Sequence, residues 1–179
     1  MTVDGQARPE AADALAQELR RRALALFGRS LHIRTVDTGS CAVCESEIRL
    51  LSAPHYDLHR LGFFFTPAPR HADLLMVTGP AIRAADNLLL KAFHATPDPK
   101  AVIAVGACAL GGVYGEDELV HGSVDQVVPV DVYVPGCPPS PLALLQGLLV
   151  AVGRLEERVA SLSLDLDSDR RAAADGRPR

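Results

Sequence analysis

The segment Asp73-Leu-Leu-Met-Val-Thr-Gly-Pro80 is the clearest strand signal in this chain. Four apolar residues follow one another without interruption, and Gly79 and Pro80 end the run. A continuous hydrophobic run of this length is typical of a strand that is buried on both faces of a parallel sheet. The segment therefore predicts such a strand.

Residues 101–105 and 127–134 are further apolar runs, and each predicts a strand. One helix is predicted between the first two strands, and another after the last strand. The first helix covers residues 81–94, and the second covers residues 140–159 with Pro141 in its first turn. Strands that alternate with helices favour parallel pairing and right-handed crossover connections. We therefore expect an α/β fold, a flavodoxin-like parallel sheet with helices on both faces, in a single domain.

The two ends of the chain differ from this core. Residues 9–27 have the apolar spacing of an amphipathic helix, so residues 1–29 are expected to form a helical arm. Residues 30–159 are the predicted α/β domain, with a short strand at 31–36 and a short helix at 45–51. The charged segment 160–179 lacks a sustained apolar face, and it predicts a disordered tail.

Composition excludes several classes of protein. The chain has 179 residues, 48% of them hydrophobic, and a formal net charge of -4. This charge argues against nucleic-acid binding, since nucleic-acid readers usually carry a basic face. No apolar run reaches the roughly 18 residues that a membrane span needs, and the N-terminus lacks the apolar centre of a signal peptide. We expect a cytoplasmic protein.

The four cysteines are the candidate metal ligands. Cys41 and Cys44 form a pair with two residues between them, whereas Cys108 and Cys137 each follow a predicted strand. Ligand sites of parallel sheets lie beyond the carboxyl ends of the strands, so the four thiols are expected to converge there. In a reducing compartment, such cysteines are more often metal ligands than disulfides.

Four thiolates suit either zinc or an iron-sulfur cluster. The glycines near Cys108 and the proline after Cys137 predict an open, glycine-lined cavity, which favours a 4Fe-4S cluster over a compact zinc site. A zinc-bound scaffold without redox activity remains an alternative. A flavin or nucleotide binder is disfavoured, because no phosphate-binding loop follows the first predicted strand.

Several motifs together resemble a known family, the small electron-transfer subunit of group 4 membrane-bound NiFe hydrogenases of the formate hydrogenlyase type and its homologue in NADH:quinone oxidoreductase, complex I. The resemblance covers roughly residues 30–155. The motifs are Val36-Asp-Thr-Gly-Ser-Cys-Ala-Val-Cys-Glu-Ser-Glu-Ile48, Tyr56-Asp-Leu-His-Arg-Leu-Gly-Phe63, Pro69-Arg-His-Ala-Asp-Leu-Leu-Met-Val-Thr-Gly-Pro80, Gly106-Ala-Cys108 and Pro129-Val-Asp-Val-Tyr-Val-Pro-Gly-Cys-Pro-Pro139.

The resemblance implies that Cys41, Cys44, Cys108 and Cys137 bind one 4Fe-4S cluster. It also implies that Glu47 relays protons near the cluster. The two-residue gap between Cys41 and Cys44 resembles the hydrogenase branch, since the complex I branch has adjacent cysteines. An alternative is a nickel-free, quinone-reducing complex, in which Arg70 and His71 would line a quinone or partner interface.

The implied partners are a large subunit, similar to that of NiFe hydrogenase or to the 49 kDa subunit of complex I, a ferredoxin-like subunit and membrane subunits. The resemblance thus implies an oxidoreductase subunit that is active only within a complex. That complex would place the chain peripherally on the cytoplasmic face of the inner membrane.

Overall fold

The structure is a computed structural model that describes residues 9–174, apart from the side chains of residues 9–13, 23, 26, 27 and 162–174. Its strands are β1 (Leu31–Asp37), β2 (Phe63–Phe65), β3 (Leu74–Thr78), β4 (Ala101–Val105) and β5 (Val132–Val134). Its α-helices are α1 (Pro9–Phe27), α2 (Val43–Leu50), α3 (Asp86–Ala95) and α4 (Pro141–Ala174).

The five strands form one sheet in the order β2-β1-β3-β4-β5. Every neighbouring pair is parallel, and β3 pairs with β1 from Ile33↔Leu74 to Asp37↔Thr78. This order is that of flavodoxin-like doubly wound sheets. The expected fold class is therefore confirmed.

The central strands β3 and β4 are buried along their whole length, as their apolar sequences predict. One face of the sheet packs into a core cluster that includes Leu19 of α1, Ile48 of α2 and Leu148 of α4. The other face packs against Leu89 and Ala92 of α3. Helices thus cover both faces, and the carboxyl edge of the sheet is left to the loops.

The N-terminal helix has the predicted bounds and a buried apolar stripe. Leu19 is fully buried, Ala16 is buried, and Leu15 is partly buried against the core. α1 packs mainly against α4. The side chains of Ala23 and Leu26, which continue the predicted stripe, lie outside the described residues.

Two predicted elements are shorter in the structure. The helix expected over 81–94 begins only at Asp86, because Ala81 has a φ of 55° and cannot be part of a right-handed helix. The strand expected over 127–134 is limited to Val132–Val134. Pro129 has no N–H to donate to a ladder, and a 3-10 turn occupies Val124–Gln126 just before it.

Two other helices are longer than expected. α2 begins at Val43 rather than at residue 45, so Cys44 lies inside its first turn. α4 continues past Val159 to Ala174, and the prediction of a disordered tail from residue 160 is wrong as far as residue 174. No glycine or proline interrupts residues 160–174, and leucine and alanine there favour a helix. Residues 175–179 of that predicted tail lie outside the described residues.

Within the part of the chain that the structure describes, none of the helices combines the length and the apolarity needed to span a membrane.

Candidate metal centre

The four cysteines lie at the carboxyl edge of the sheet, beyond the ends of three strands. Cys41 and Cys44 follow β1, Cys108 follows β4, and Cys137 follows β5. The strand between them, β3, ends in Thr78 and Gly79, which contact the loop that leads to Cys41. The sheet order therefore brings together thiols that are far apart in the sequence.

The loop before Cys41 is fixed by hydrogen bonds from both sides. Asp37 Oδ1 accepts from the backbone N–H of Gly39 at 2.9 Å and from that of Ser40 at 2.7 Å. The hydroxyl of the buried Thr38 donates to the carbonyl of Thr78 at 2.7 Å. These bonds anchor the loop to the end of β3, so the position of Cys41 follows from the sheet.

A left-handed residue turns the chain between the two paired cysteines. Ala42 has a φ of 66°, and it is the N-cap of α2. This conformation is unfavourable for an alanine, because its Cβ crowds the following carbonyl oxygen. The turn allows Cys41 to remain exposed while Cys44 is buried against the core.

The loops that carry the other two cysteines are bonded to each other. The backbone N–H of Gly106 donates to the carbonyl of Val134 at 2.9 Å, and that of Ala107 donates to the carbonyl of Gly136 at 2.7 Å. These bonds extend the pairing of β4 and β5 past the sheet. Cys108 and Cys137 are therefore carried by one connected piece of backbone.

Gly106 brings this piece of backbone against Cys44. A Cβ atom at residue 106 would lie 2.6 Å from Sγ of Cys44, a distance at which one of the two groups must shift. The φ of Gly106, 91°, also favours glycine. The glycine expected from sequence to allow a close approach is thus placed directly beside one of the four thiols.

The thiols affect one another electrostatically. Burial raises the pKa of Cys44 to about 11, and the negative charges of Glu45 and then of the other three cysteines add to this effect. Burial, followed by the charges of Cys137 and Cys41, raises the pKa of Cys108. Ionisation of Cys44 and Cys108 is therefore disfavoured unless a positive charge lies beside them.

Four cysteine thiols are a donor set that two kinds of metal group accept. Among the described residues, no three histidine, cysteine or acidic side chains are close enough to hold one metal ion together. A zinc ion needs its four ligands at about 2.3 Å from one centre. A 4Fe-4S cluster is bound by four cysteine thiolates, and its irons are distributed over a larger volume. Four cysteine thiols are a donor set that such a cluster takes, and Gly106 leaves space for it beside Cys44.

Glu45 is a residue of this site that sequence reasoning missed. Its Oε1 accepts from the hydroxyl of Ser40 at 2.7 Å and from the hydroxyl of Thr78. Its Oε2 is buried and has no hydrogen-bond partner in the described part of the chain. The available signal was an acidic residue that directly follows Cys44 in the sequence.

The other candidate residues, Glu47, Arg70 and His71, lie on two different elements. Glu47 is half-buried in α2, three residues after Cys44. Arg70 and His71 are exposed in the short 3-10 turn Pro69–His71. The structure thus places Glu47 on the helix that carries a cysteine, and the two basic residues in a separate loop.

A cavity of about 350 Å³ lies beside α2. Most of its lining is apolar, although hydroxyls and an arginine contribute; the lining residues are Thr35, Glu45, Ile48, Arg49, Ser52 and Phe65. Arg70 and His71 are not among them. The cavity has the size of a small-molecule site.

Comparison with known proteins gives consistent results. Residues 41–151 match the family of the NADH ubiquinone oxidoreductase, 20 Kd subunit. The chain is 41% identical over 152 residues to formate hydrogenlyase subunit 7 of Escherichia coli. That alignment covers 84% of this chain and 60% of the relative. This chain therefore spans about three-fifths of the length of that relative.

Two further relatives are covered more completely. The chain is 43% identical over 134 residues to the probable membrane-bound hydrogenase subunit mbhJ of Pyrococcus furiosus, covering 74% of this chain and 80% of that one. A chain of the membrane-bound sulfane sulfur reductase, an archaeal respiratory membrane complex, superimposes with a TM-score of 0.63 at 30% identity. That superposition covers 79% of this chain and 76% of the other.

The family match spans most of the α/β domain and includes all four cysteines, and the relatives agree with it. The chain therefore belongs to the oxidoreductase family of the NADH ubiquinone oxidoreductase, 20 Kd subunit.

Proposed function

We propose that the chain is an electron-transfer subunit in which Cys41, Cys44, Cys108 and Cys137 hold one 4Fe-4S cluster. The observation that carries this proposal is the close approach of Gly106 to Cys44. This contact places the cysteine pair after β1 beside the loops that carry the two cysteines after β4 and β5. Such a cluster, when bound, accepts and releases one electron at a time.

The residues around the thiols support this role. Cys44 is buried among apolar side chains, whereas Cys41 and Cys137 are exposed. A site that is buried on one side and open on the other limits the access of water to a bound cluster and still lets a partner protein approach. The chain would therefore position the cluster for electron transfer across the open side.

The helix that carries Cys44, α2, also has exposed apolar residues that a partner could cover. Val43 and Leu50 of α2 are each 45% exposed. Exposed apolar side chains beside a functional site favour a protein interface. We propose that this side faces a large catalytic subunit, similar to that of NiFe hydrogenase or to the 49 kDa subunit of complex I, and that a ferredoxin-like subunit exchanges electrons with it.

The relatives are named as subunits of membrane-bound assemblies, and this supports a similar setting for the chain. We propose a peripheral position on the cytoplasmic face of the inner membrane, with membrane subunits reached through the complex. Glu47, half-buried on α2, is proposed to relay protons near the cluster.

A second candidate function is suggested by the cavity beside α2. Ile48 and Phe65 offer apolar surface to a ring, and Arg49, Ser52 and Thr35 offer hydrogen-bond donors to a carbonyl oxygen. A quinone has both features. In this alternative the chain is part of a nickel-free, quinone-reducing complex related to complex I.

The test is anaerobic purification of the complex that contains this chain, followed by analysis of iron, acid-labile sulfide, zinc and nickel. Four irons and four sulfides per chain, with nickel in a large partner, are expected for the hydrogenase branch. The same iron without nickel, with a bound quinone, favours the second candidate. Stoichiometric zinc in place of iron contradicts both and supports a structural scaffold.

A further inference from the structure

We propose that Glu45 is a positioning residue for the cluster, a role that rests on the proposed function. Its carboxylate ties the loop of Cys41 to the end of β3, and its negative charge keeps the reduction potential of the cluster low. Neither part of this role follows from the cysteine spacing, because both depend on contacts with residues from other elements.

Glu45 connects three elements of the structure. It lies in the first turn of α2, next to Cys44. Its Oε1 accepts from the hydroxyl of Ser40, which precedes Cys41, and from the hydroxyl of Thr78, the last residue of β3. One oxygen atom thus links the loop, the helix and the central strand.

The two hydroxyl donors are themselves held in place. Ser40 Oγ accepts from the backbone N–H of Ala42 at 3.1 Å, so it bridges the turn between the two cysteines to Glu45. Thr78 is buried, with 1% of its surface exposed. A fixed hydroxyl on a buried strand holds the carboxylate of Glu45 in place, and the carboxylate in turn holds the loop of Cys41.

The charge of Glu45 is the second part of its role. Its Oε2 is buried without a donor among the described residues, an arrangement that is unfavourable for folding. Glu45 directly follows Cys44 in the first turn of α2. A carboxylate charge held there opposes the addition of an electron to a group bound by Cys44, because reduction makes that group more negative.

The experiment uses the full complex and three variants. Glu45→Gln keeps an acceptor for Ser40 and Thr78 but removes the charge, whereas the double variant Ser40→Ala and Thr78→Val removes both donors and keeps the charge. Glu157→Gln is the matched control, since Glu157 is exposed on α4. Midpoint potentials are measured by a redox titration followed by electron paramagnetic resonance, together with iron per chain and the half-life of the cluster in air.

Glu45→Gln is expected to bind the cluster and to raise its midpoint potential by ~59 mV, a tenfold change in the equilibrium of one-electron reduction. The double variant is expected to shorten the half-life of the cluster several-fold while its potential stays near that of the wild type. Glu157→Gln is expected to change neither quantity.

Two results overturn the inference while leaving the proposed function intact. A wild-type potential in Glu45→Gln contradicts the charge role, and a wild-type iron content and half-life in the double variant contradict the positioning role. A wild-type complex that carries no iron-sulfur cluster contradicts the proposed function itself. The two failures are therefore distinguishable.

Discussion

The Cα atom of Gly106 packs so closely on Cys44 that a Cβ at residue 106 would lie 2.6 Å from Sγ of that cysteine. Gly106 directly follows β4, and its N–H bonds to the end of β5, so it cannot move without disturbing the sheet. Because β3 separates β1 from β4, this contact joins two strands that are not neighbours. The order of the strands thus brings the loops of the candidate site together.

The variant Gly106→Ala is therefore expected to lose the cluster. Its methyl group would displace Cys44 Sγ, and the φ of 91° adds strain for any residue with a Cβ atom. We expect iron per chain to fall at least fivefold after anaerobic purification. Iron and sulfide analysis of the purified complex checks this.

A matched control is Gly115→Ala. A Cβ atom at residue 115 would meet no heavy atom within 4 Å. This variant is expected to retain the iron content of the wild type. Full iron content in Gly106→Ala would show that the contact with Cys44 is not needed for binding.

The left-handed Ala42 predicts a stabilising substitution. Replacing Ala42, at a φ of 66°, with glycine removes a steric cost of roughly 1–2 kcal/mol from the folded chain. Glycine also has more conformational entropy in the unfolded chain, and this offsets part of the gain. We expect Ala42→Gly to raise the free energy of unfolding of the metal-free chain by about 0.5–1 kcal/mol. Urea denaturation followed by circular dichroism measures the change.

Ala68→Gly is expected to lower the free energy of unfolding instead. Ala68 has a φ of -102°, a conformation that alanine adopts without strain. Glycine there loses more entropy on folding and should destabilise the chain by about 0.5–1 kcal/mol. If both variants shift the urea midpoint in the same direction, the strain assigned to Ala42 is wrong.

These backbone details show where sequence reasoning was sufficient and where it was not. The apolar runs of β3 and β4 predict buried parallel strands because burial on both faces requires continuous hydrophobicity. The bounds of α1 follow in the same way from its apolar spacing. The position of the cysteines at the carboxyl edge then follows from topology alone.

The remaining features depend on contacts that a sequence does not display. Ala81 adopts a left-handed conformation, and helix propensity carries no signal for it. Glu45 looks like an ordinary residue of a first helical turn until Thr78, 33 residues away, is placed beside it. α4 continues to Ala174 although its charged end suggested disorder, because charge alone does not stop a helix.

The thiols are expected to differ in reactivity in the metal-free chain. Cys41 and Cys137 are exposed, whereas Cys44 is buried and its pKa is raised to about 11. Since the thiolate is the nucleophile, Cys44 should react with iodoacetamide last at pH 8 and faster as the pH rises toward 11. Mass spectrometry of the labelled peptides measures the order.

Labelling in urea is the control for this prediction. Unfolding removes the burial that raises the pKa of Cys44, so the four cysteines should then react at similar rates. Equal rates for Cys41 and Cys44 in the folded, metal-free chain would contradict the structure at this site.

The proposed relay at Glu47 predicts a change in turnover without a loss of iron. Glu47→Gln keeps the size of the side chain but cannot accept and release a proton. We expect turnover of the complex to fall at least tenfold, with an altered solvent deuterium isotope effect and unchanged iron per chain. Glu47→Asp should restore part of the rate, and a Glu47→Gln complex with wild-type turnover would exclude the relay.

Electron paramagnetic resonance with spin counting measures whether four cysteines of this chain bind one 4Fe-4S cluster. The complex is reduced anaerobically, and the signal that disappears in a Cys108→Ser variant is integrated against the amount of this chain. We expect one S = 1/2 signal of a reduced 4Fe-4S cluster per chain in the wild type. A spectrum that is unchanged by Cys108→Ser, with zinc bound in a one-to-one ratio, would contradict cluster binding by these cysteines.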